Sequence, residues 1–236
     1  MTLAENIQKV QARIAAAAEQ AGRAPSEVTL VAATKVQTSE TIRAAIAAGI
    51  TVCGENRAQE FTQHWQDGAY EGAKVHFIGH LQKNKLKYLV GKVDLIESVD
   101  SEELIRLIDK RAQNLGIVQD ILIEVNIGGE VSKSGVKPEE VEALVALAAS
   151  LPGVEPRGLM AIPPVAQEPG ANRAVFAAMR QLFIDIKGKT YNNKVNIDCL
   201  SMGMSGDFED AIAEGATQVR VGTALFGARP ANRVNG

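Results

Sequence analysis

Two charged residues sit where charges are costly. In VTLVAATKVQTSE (28–40) six residues fit for burial lead to Thr34 and then Lys35. An ammonium so placed snorkels to solvent, finds a partner or loses its proton, and a neutral amine is a nucleophile. In QVRVGT (218–223), period-two alternation puts Gln218, Arg220 and Gly222 on one face and Val219 and Val221 on the other. The valines suit a helix-covered face, which turns Arg220 inward. Buried arginines are nearly always paired, here either with a carboxylate such as Glu124 or with an acceptor on a ligand. SMGMSGDFE (201–209) and GTALFG (222–227) place Ser201, Gly203, Ser205, Gly222 and Thr223 ahead of helical segments. Hydroxyls and glycine N–H groups at helix starts suit a phosphate, and they equally suit ordinary capping.

The elements that must position these residues alternate in kind. Short apolar runs appear eight times, as VTLVAAT, TVCG, KVHFIG, VDLIES, DILIEV, EPRGLMAI, DCLSMG and QVRVGT. Helical patterns lie between them. Thr2 and Glu5 form a capping box for an N-terminal helix, and Ser39 precedes ETIRAAIAAG. Ser101 heads SEELIRLIDKRAQNLG, and Pro138 opens PEEVEALVALAAS. Near-continuous apolar strands alternating with amphipathic helices imply parallel strands covered by helices. Eight such units predict an α/β fold, a single (β/α)8 TIM barrel over residues 1–236 with an extra N-terminal helix, in preference to a doubly wound open sheet. IPPVAQEPG (162–170) reads as a long loop after the sixth strand.

Active sites of such barrels form at the carboxyl ends of the strands. Those ends carry Lys35, Glu55 and Asn56, His80, Ser98 and Asp100, Asn126, Met160, then the Ser201 and Gly222–Thr223 loops. Alternation faces Val31, Ala33 and Lys35 together, so Lys35 and Arg220 share the interior on strands that closure makes neighbours. A nearby cation favours the neutral amine. Among weaker candidates, His64 lies on a polar helix and is expected in solvent. His76 and His80 flank a strand without carboxylates at metal-site spacing, so no metal is expected. Cys199 reads as core packing, and Lys133 in SKSG reads as exposed.

The formal net charge of −3 gives no electrostatic case for nucleic acid or an anionic membrane as a partner. Cys53 and Cys199 belong to no CxxC pair, which points to a reducing cytoplasm. The start, MTLAENIQKV, has no apolar core of a signal peptide, and no run approaches the roughly 18 apolar residues of a membrane span.

A lysine on the first strand, a phosphate cradle on the seventh and eighth and an inward arginine on the eighth together suggest pyridoxal 5′-phosphate. The chain resembles the pyridoxal phosphate homeostasis proteins (YggS type), relatives of the barrel domain of alanine racemase. The matching stretches are LVAATK (30–35), CGENRAQE (53–60), HFIGHLQKNK (76–85), IESVD (96–100) and NIGGEVSKSG (126–135). RGLMAIPP (157–164), LSMGMSGDFEDAIAEGAT (200–217) and VRVGTALFGAR (219–229) complete the set in the same order. Thr34 stands where the family often has serine.

The resemblance implies a Schiff base between Lys35 and the cofactor aldehyde, and phosphate contacts from Ser201, Gly222 and Thr223. It also implies that Asn56 and Met160 line the pocket and that Arg220 lies near the pyridine nitrogen. An arginine cannot readily exchange a proton with that nitrogen, so carbanion chemistry is weakly supported. In the resembling racemases a second acid/base comes from a further domain, whereas this chain ends thirteen residues after Thr223. The expected role is therefore a monomeric cofactor carrier or buffer in vitamin B6 and amino/keto acid homeostasis, with pyridoxal-phosphate-dependent apo-enzymes as candidate recipients. The alternatives are an amino-acid racemase completed by Tyr191, Cys199 or a partner subunit, and a cofactor-free lysine aldolase.

Overall fold

The computed structural model describes residues 2–129, 134–164, 168–189 and 196–227. Lys133 and Tyr191 lie outside them. The first helix, α1 (Leu3–Gln20), opens on the expected capping box: Glu5 N–H donates to Thr2 Oγ1 and Thr2 N–H to Glu5 Oε2. The chain then runs β1 (Thr29–Ala33), α2 (Ser39–Ala47), β2 (Val52–Glu55), α3 (Ala58–Gln66), β3 (Lys74–Phe77) and α4 (Leu86–Leu89). It continues with β4 (Leu95–Val99), α5 (Glu102–Leu115), β5 (Gln119–Glu124), α6 (Val141–Ser150), β6 (Val154–Met160) and α7 (Arg173–Lys187). The last elements are β7 (Cys199–Ser201), α8 (Phe208–Ala213), β8 (Gln218–Val221) and α9 (Thr223–Phe226).

The eight strands are parallel, pair in chain order and close β8 onto β1, as the alternating pattern predicts. Closure sets Val31 beside Arg220 in register. Side chains alternate as strand geometry demands. Ala32, Cys53, Phe77, Ile96, Ile121, Ile123, Val219 and Val221 join the large core between barrel and helices. Leu95, Leu122 and Met160 form a separate cluster with Cys199 against it, the apolar floor of the barrel interior. One helix start differs from expectation. Thr38, not Ser39, caps α2, and Ser39 inside the helix donates to Asp67 Oδ2 at 2.6 Å. No described helix is long and apolar enough to cross a membrane.

At Gly158 the backbones of β6 and β7 come close. The register of β5 against β6 shifts beside it, and a Cβ there would lie 1.8 Å from the Cys199 carbonyl oxygen. Gly116, the left-handed C-cap of α5, has open space instead. Urea denaturation of Gly158→Ala is expected to show a loss of about 3 kcal/mol or more, because backbone must separate. Gly116→Ala, with only the left-handed conformation to oppose it, is expected to lose about 1 kcal/mol. Equal losses would contradict the contact account.

Candidate functional site

The mouth of the barrel is built over a buried polar layer. Arg220 points inward, as alternation predicts, and only 4% of it is exposed. Of the two alternatives it pairs with a barrel carboxylate, and that carboxylate is Glu97, where Glu124 is the example the sequence offers: Nη1 lies 3.8 Å from Glu97 Oε2. Nη1 also donates to Ser201 Oγ at 2.5 Å, and Nη2 donates to the Ala161 carbonyl at 2.8 Å. Ser201 Oγ in turn donates to Glu97 Oε2 at 2.6 Å, Gln218 Nε2 donates to Glu97 Oε1 at 2.6 Å, and His76 Nδ1 stands 2.8 Å from Oε1. Glu97 wins the arginine because donors surround it on three strands. Burial opposes its ionisation, but His76, Arg220 and Ser201 outweigh that and hold its carboxyl below the usual range. Burial likewise pulls Arg220 down from its ordinary value, against the opposing pull of Glu97 and Glu124.

Above this layer, the loops after β7 and β8 meet as expected. Ser205 Oγ accepts from the N–H groups of Gly222 and Ala224 at 3.1 and 3.3 Å. Ser205 thus caps α9, on the next βα unit, and not α8, the helix that follows it in the chain. Met204 N–H donates to Asp207 Oδ1, and Asn172 Nδ2 bridges Asp207 Oδ2 and the Pro164 carbonyl, which fastens the loop after β6 to the loop after β7. Thr223 is exposed at the first position of α9. Ser201 is brought close to Arg220, but its hydroxyl is engaged within the barrel.

Lys35 is half-buried in a turn at the top of β1. Thr34 N–H donates to the Gly54 carbonyl at 2.9 Å, and Gln37 N–H closes the turn onto the Thr34 carbonyl at 3.0 Å. Between them Val36 has φ +60°, alone among described non-glycine residues in being positive. A β-branched residue in that region carries strain of about 1–3 kcal/mol, a feature that gathers at functional sites.

On the β2 side, Asn56 edges a cleft of about 520 Å³ that Arg57, Glu60, Phe77, His80 and Lys85 also line. Its side-chain oxygen is buried with no hydrogen-bond partner among the described residues. Expected in solvent, His64 is instead buried, with Nδ1 3.1 Å from Glu55 Oε1. It follows Phe61 by one helical turn, so it falls on the inner face of α3. Hydrogen bonding to Glu55 raises its pKa against the effect of burial. Burial pushes the Cys53 thiol up to about 12 and raises Cys199 further, so neither is a ready nucleophile.

Glu55, Glu60 and Glu97 are the residues that sequence reasoning passed over in these roles. Alternation applied to LIESV (95–99) puts Glu97 on the face of Leu95, the same signal that revealed Arg220. Nothing in spacing marks Glu60.

Glu124 follows Leu122 on the inward face of β5 and pairs in register with Met160. Burial, with Asp100 nearby, pushes its carboxyl up to about 7 against the opposing charge of Arg220. Between the ordinary carboxylate value and about pH 7 the folded chain keeps a proton that the unfolded chain has lost, so stability falls as pH rises through that window. Glu124→Gln stays neutral throughout. Its stability relative to wild type is expected to improve by about 1–3 kcal/mol between pH 5 and pH 8 in chemical denaturation. The same difference at both pH values would rule out the raised carboxyl.

A family model described as alanine racemase, N-terminal domain, matches residues 2–230. A pyridoxal phosphate homeostasis protein of Aquifex aeolicus is 46% identical over 97% of this chain and 99% of its own. One from Pseudomonas aeruginosa is 43% identical over 97% and 96%. The structure of PipY from Synechococcus elongatus with PLP bound superposes with a TM-score of 0.82 at 32% identity, covering 96% of this chain and all of that one. Matched along nearly its whole length in both sequence and barrel geometry, the chain belongs to the pyridoxal phosphate homeostasis protein family, within the alanine racemase N-terminal-domain fold family.

Proposed function

We propose that this protein binds pyridoxal 5′-phosphate, holds it covalently through Lys35 and serves in the homeostasis of vitamin B6 and amino and keto acids. The observation that carries the reading is the juxtaposition on β1 and β8. An amine stands at the end of one strand, an N–H cradle at the end of its hydrogen-bonded neighbour, and a fixed guanidinium beneath them. The names and the bound PLP of the relatives agree with it.

The residues present fit the group. The Gly222 and Ala224 N–H groups converge on one oxygen, that of Ser205, so they are already aimed to serve oxygen acceptors, and the phosphate would be held there with Thr223. Asn56, whose amide oxygen has no partner among the described residues, and Met160 would line the ring. Ser201 would act through Arg220, whose orientation it fixes. When bound, the group supplies an aldehyde carbon that the Lys35 amine captures with loss of water.

Arg220 offers only N–H donors and remains charged, so it would donate to the ring nitrogen without exchanging a proton with it. Cys199 packs against the Leu95–Leu122–Met160 cluster, and burial raises its thiol, which does not suit an acid/base at neutral pH. Holding the cofactor is therefore favoured over turning over amino acids. The two free thiols suit the cytoplasm, where they stay reduced.

The purified chain with added pyridoxal 5′-phosphate is expected to absorb in the visible, and borohydride reduction should place the label on the Lys35 peptide. Lys35→Ala should abolish attachment while thermal unfolding remains cooperative, and retained stoichiometric labelling would overturn the assignment. Thr223→Val should weaken retention severalfold to about tenfold through a lost phosphate hydrogen bond. Unchanged retention would sink the cradle. Loss of α-hydrogen from an amino acid to solvent at a catalytic rate would favour the enzyme reading instead.

A further inference from the structure

Both backbone neighbours of Lys35 are held by glutamates from one stretch, GENRAQE (54–60). On one side, Thr34 Oγ1 donates to Glu55 Oε1 at 2.6 Å. Glu55 is fully buried and also receives the Tyr70 hydroxyl at 2.8 Å. On the other side, Val36 N–H donates to Glu60 Oε2 at 3.0 Å, while Arg57 Nη1 stands 3.6 Å from Glu60 Oε1. Glu60 lies in the first turn of α3, a rigid mount anchored by buried Ala58 and Phe61.

The turn from Thr34 to Gln37 has negative φ at Lys35 and positive φ at Val36, the sign pattern of type II. Glycine or asparagine is preferred at the second central position, and valine is poorly suited to it. The competing type I turn differs by a flip of the peptide between the two central residues, which changes ψ of the first by about 150°. Here that peptide is Lys35–Val36, and its N–H is the one Glu60 accepts. We propose that Glu60 is a positioning residue: by holding this N–H it keeps the strained turn from flipping, and so fixes the backbone of Lys35 and the rotamers open to its side chain. The role rests on the reading of Lys35 as the attachment point. The Val36–Glu60 hydrogen bond does not.

The test compares full-length wild type, Glu60→Ala, Glu60→Gln, Val36→Gly and the double variant Val36→Gly/Glu60→Ala. Amide hydrogen exchange at residue 36, read by NMR without cofactor, reports the hold itself. The rate of covalent attachment of added pyridoxal 5′-phosphate reports its consequence, and affinity for pyridoxine 5′-phosphate, which lacks the aldehyde, controls for damage to the pocket. Glu60→Ala is expected to speed exchange at Val36 about tenfold or more and to slow attachment by about tenfold, with analogue affinity within about twofold. Glu60→Gln keeps an accepting oxygen and should stay within about threefold of wild type on both readouts. In the double variant, glycine takes positive φ without strain, so attachment should recover to within about threefold of wild type.

Unchanged exchange in Glu60→Ala would overturn the hold. Faster exchange with an unchanged attachment rate would reduce Glu60 to a structural cap, and equal losses in attachment and analogue affinity would mean general damage to the pocket. If Glu60→Ala does not fold, Val36→Gly decides. With Glu60 still in place and the strain removed, exchange at residue 36, corrected for its intrinsic rate, should be no faster than wild type, and attachment should stay near wild type. Faster exchange would overturn the strain account, and a collapse of attachment the role of the backbone conformation. A wild-type chain that attaches no cofactor would sink the reading of Lys35 and the positioning role with it, yet the exchange data would still judge the hydrogen bond by itself.

Discussion

Arg220 and Glu97 face each other at 3.8 Å inside the barrel, with almost no access to water. Neither charge could lie there alone. Desolvation costs several kcal/mol per ion, and breaking such a pair by removing one partner typically costs about 3–5 kcal/mol. The pair is tolerated because its remaining polar atoms are filled by Ser201, Gln218, His76 and the Ala161 carbonyl. Those groups come from β3, β7, β8 and the residue after β6, so the charges are satisfied only once the barrel is closed. The seam between β7 and β8 shows the dependence most directly. It pairs only Ser201 with Gln218, and both side chains belong to the network. Closing the shortest seam and compensating the buried charge are the same event.

That layer divides the interior. Below it Leu95 and Leu122 fill the barrel as any apolar core would, and Met160, in register with Ser201, reaches the level of the layer itself. Above it lie the Lys35 amine, the Gly222 and Ala224 N–H groups gathered on Ser205, the Asn56 amide and the Glu124 carboxyl. Arg220 ties the layers together through its own backbone, since its N–H donates to the Gly203 carbonyl at 3.0 Å. Gly203 is itself fixed: with φ +91°, an added Cβ would lie 2.5 Å from Ala211 Cβ. The position of the loop after β7 is therefore set by the same residue that carries the buried charge. A binding site built this way has little freedom on its β7–β8 side.

The architecture was legible because it is written in local pattern. Eight apolar runs separated by capped helices allow few arrangements, and period-two alternation on QVRVGT was enough to turn Arg220 inward. Its partner was a different matter. Glu124 and Glu97 both sit on inward faces, and the choice between them depends on how many donors converge from other strands, which no single stretch records. The role of Ser205 was hidden for the same reason: its hydroxyl crosses to the N–H groups of Gly222 and Ala224 on the next βα unit. His64 was misread because the polar residues around it on α3 mask the one-turn spacing from Phe61. The left-handed Val36 had no signal at all, since valine is the residue that propensity would place there last.

These facts bear on where the site can adjust. The β8 side is locked by a charge pair whose partial loss would cost more than most single hydrogen bonds return. The β1 side ends in a turn that departs from its residue's preferred conformation and is held by carboxylates on a neighbouring element. Strain of this size survives only where the surroundings over-determine it. Here they do: Thr34 is fixed to Gly54 and Glu55, Val36 to Glu60, and Gln37 back to Thr34. On the proposed reading, with the guanidinium engaged by Glu97, Ser201 and the Ala161 carbonyl, the fit between Lys35 and the Gly222 and Ala224 N–H groups would be set from the lysine side. The pair of glutamates five residues apart is what makes that side single-valued.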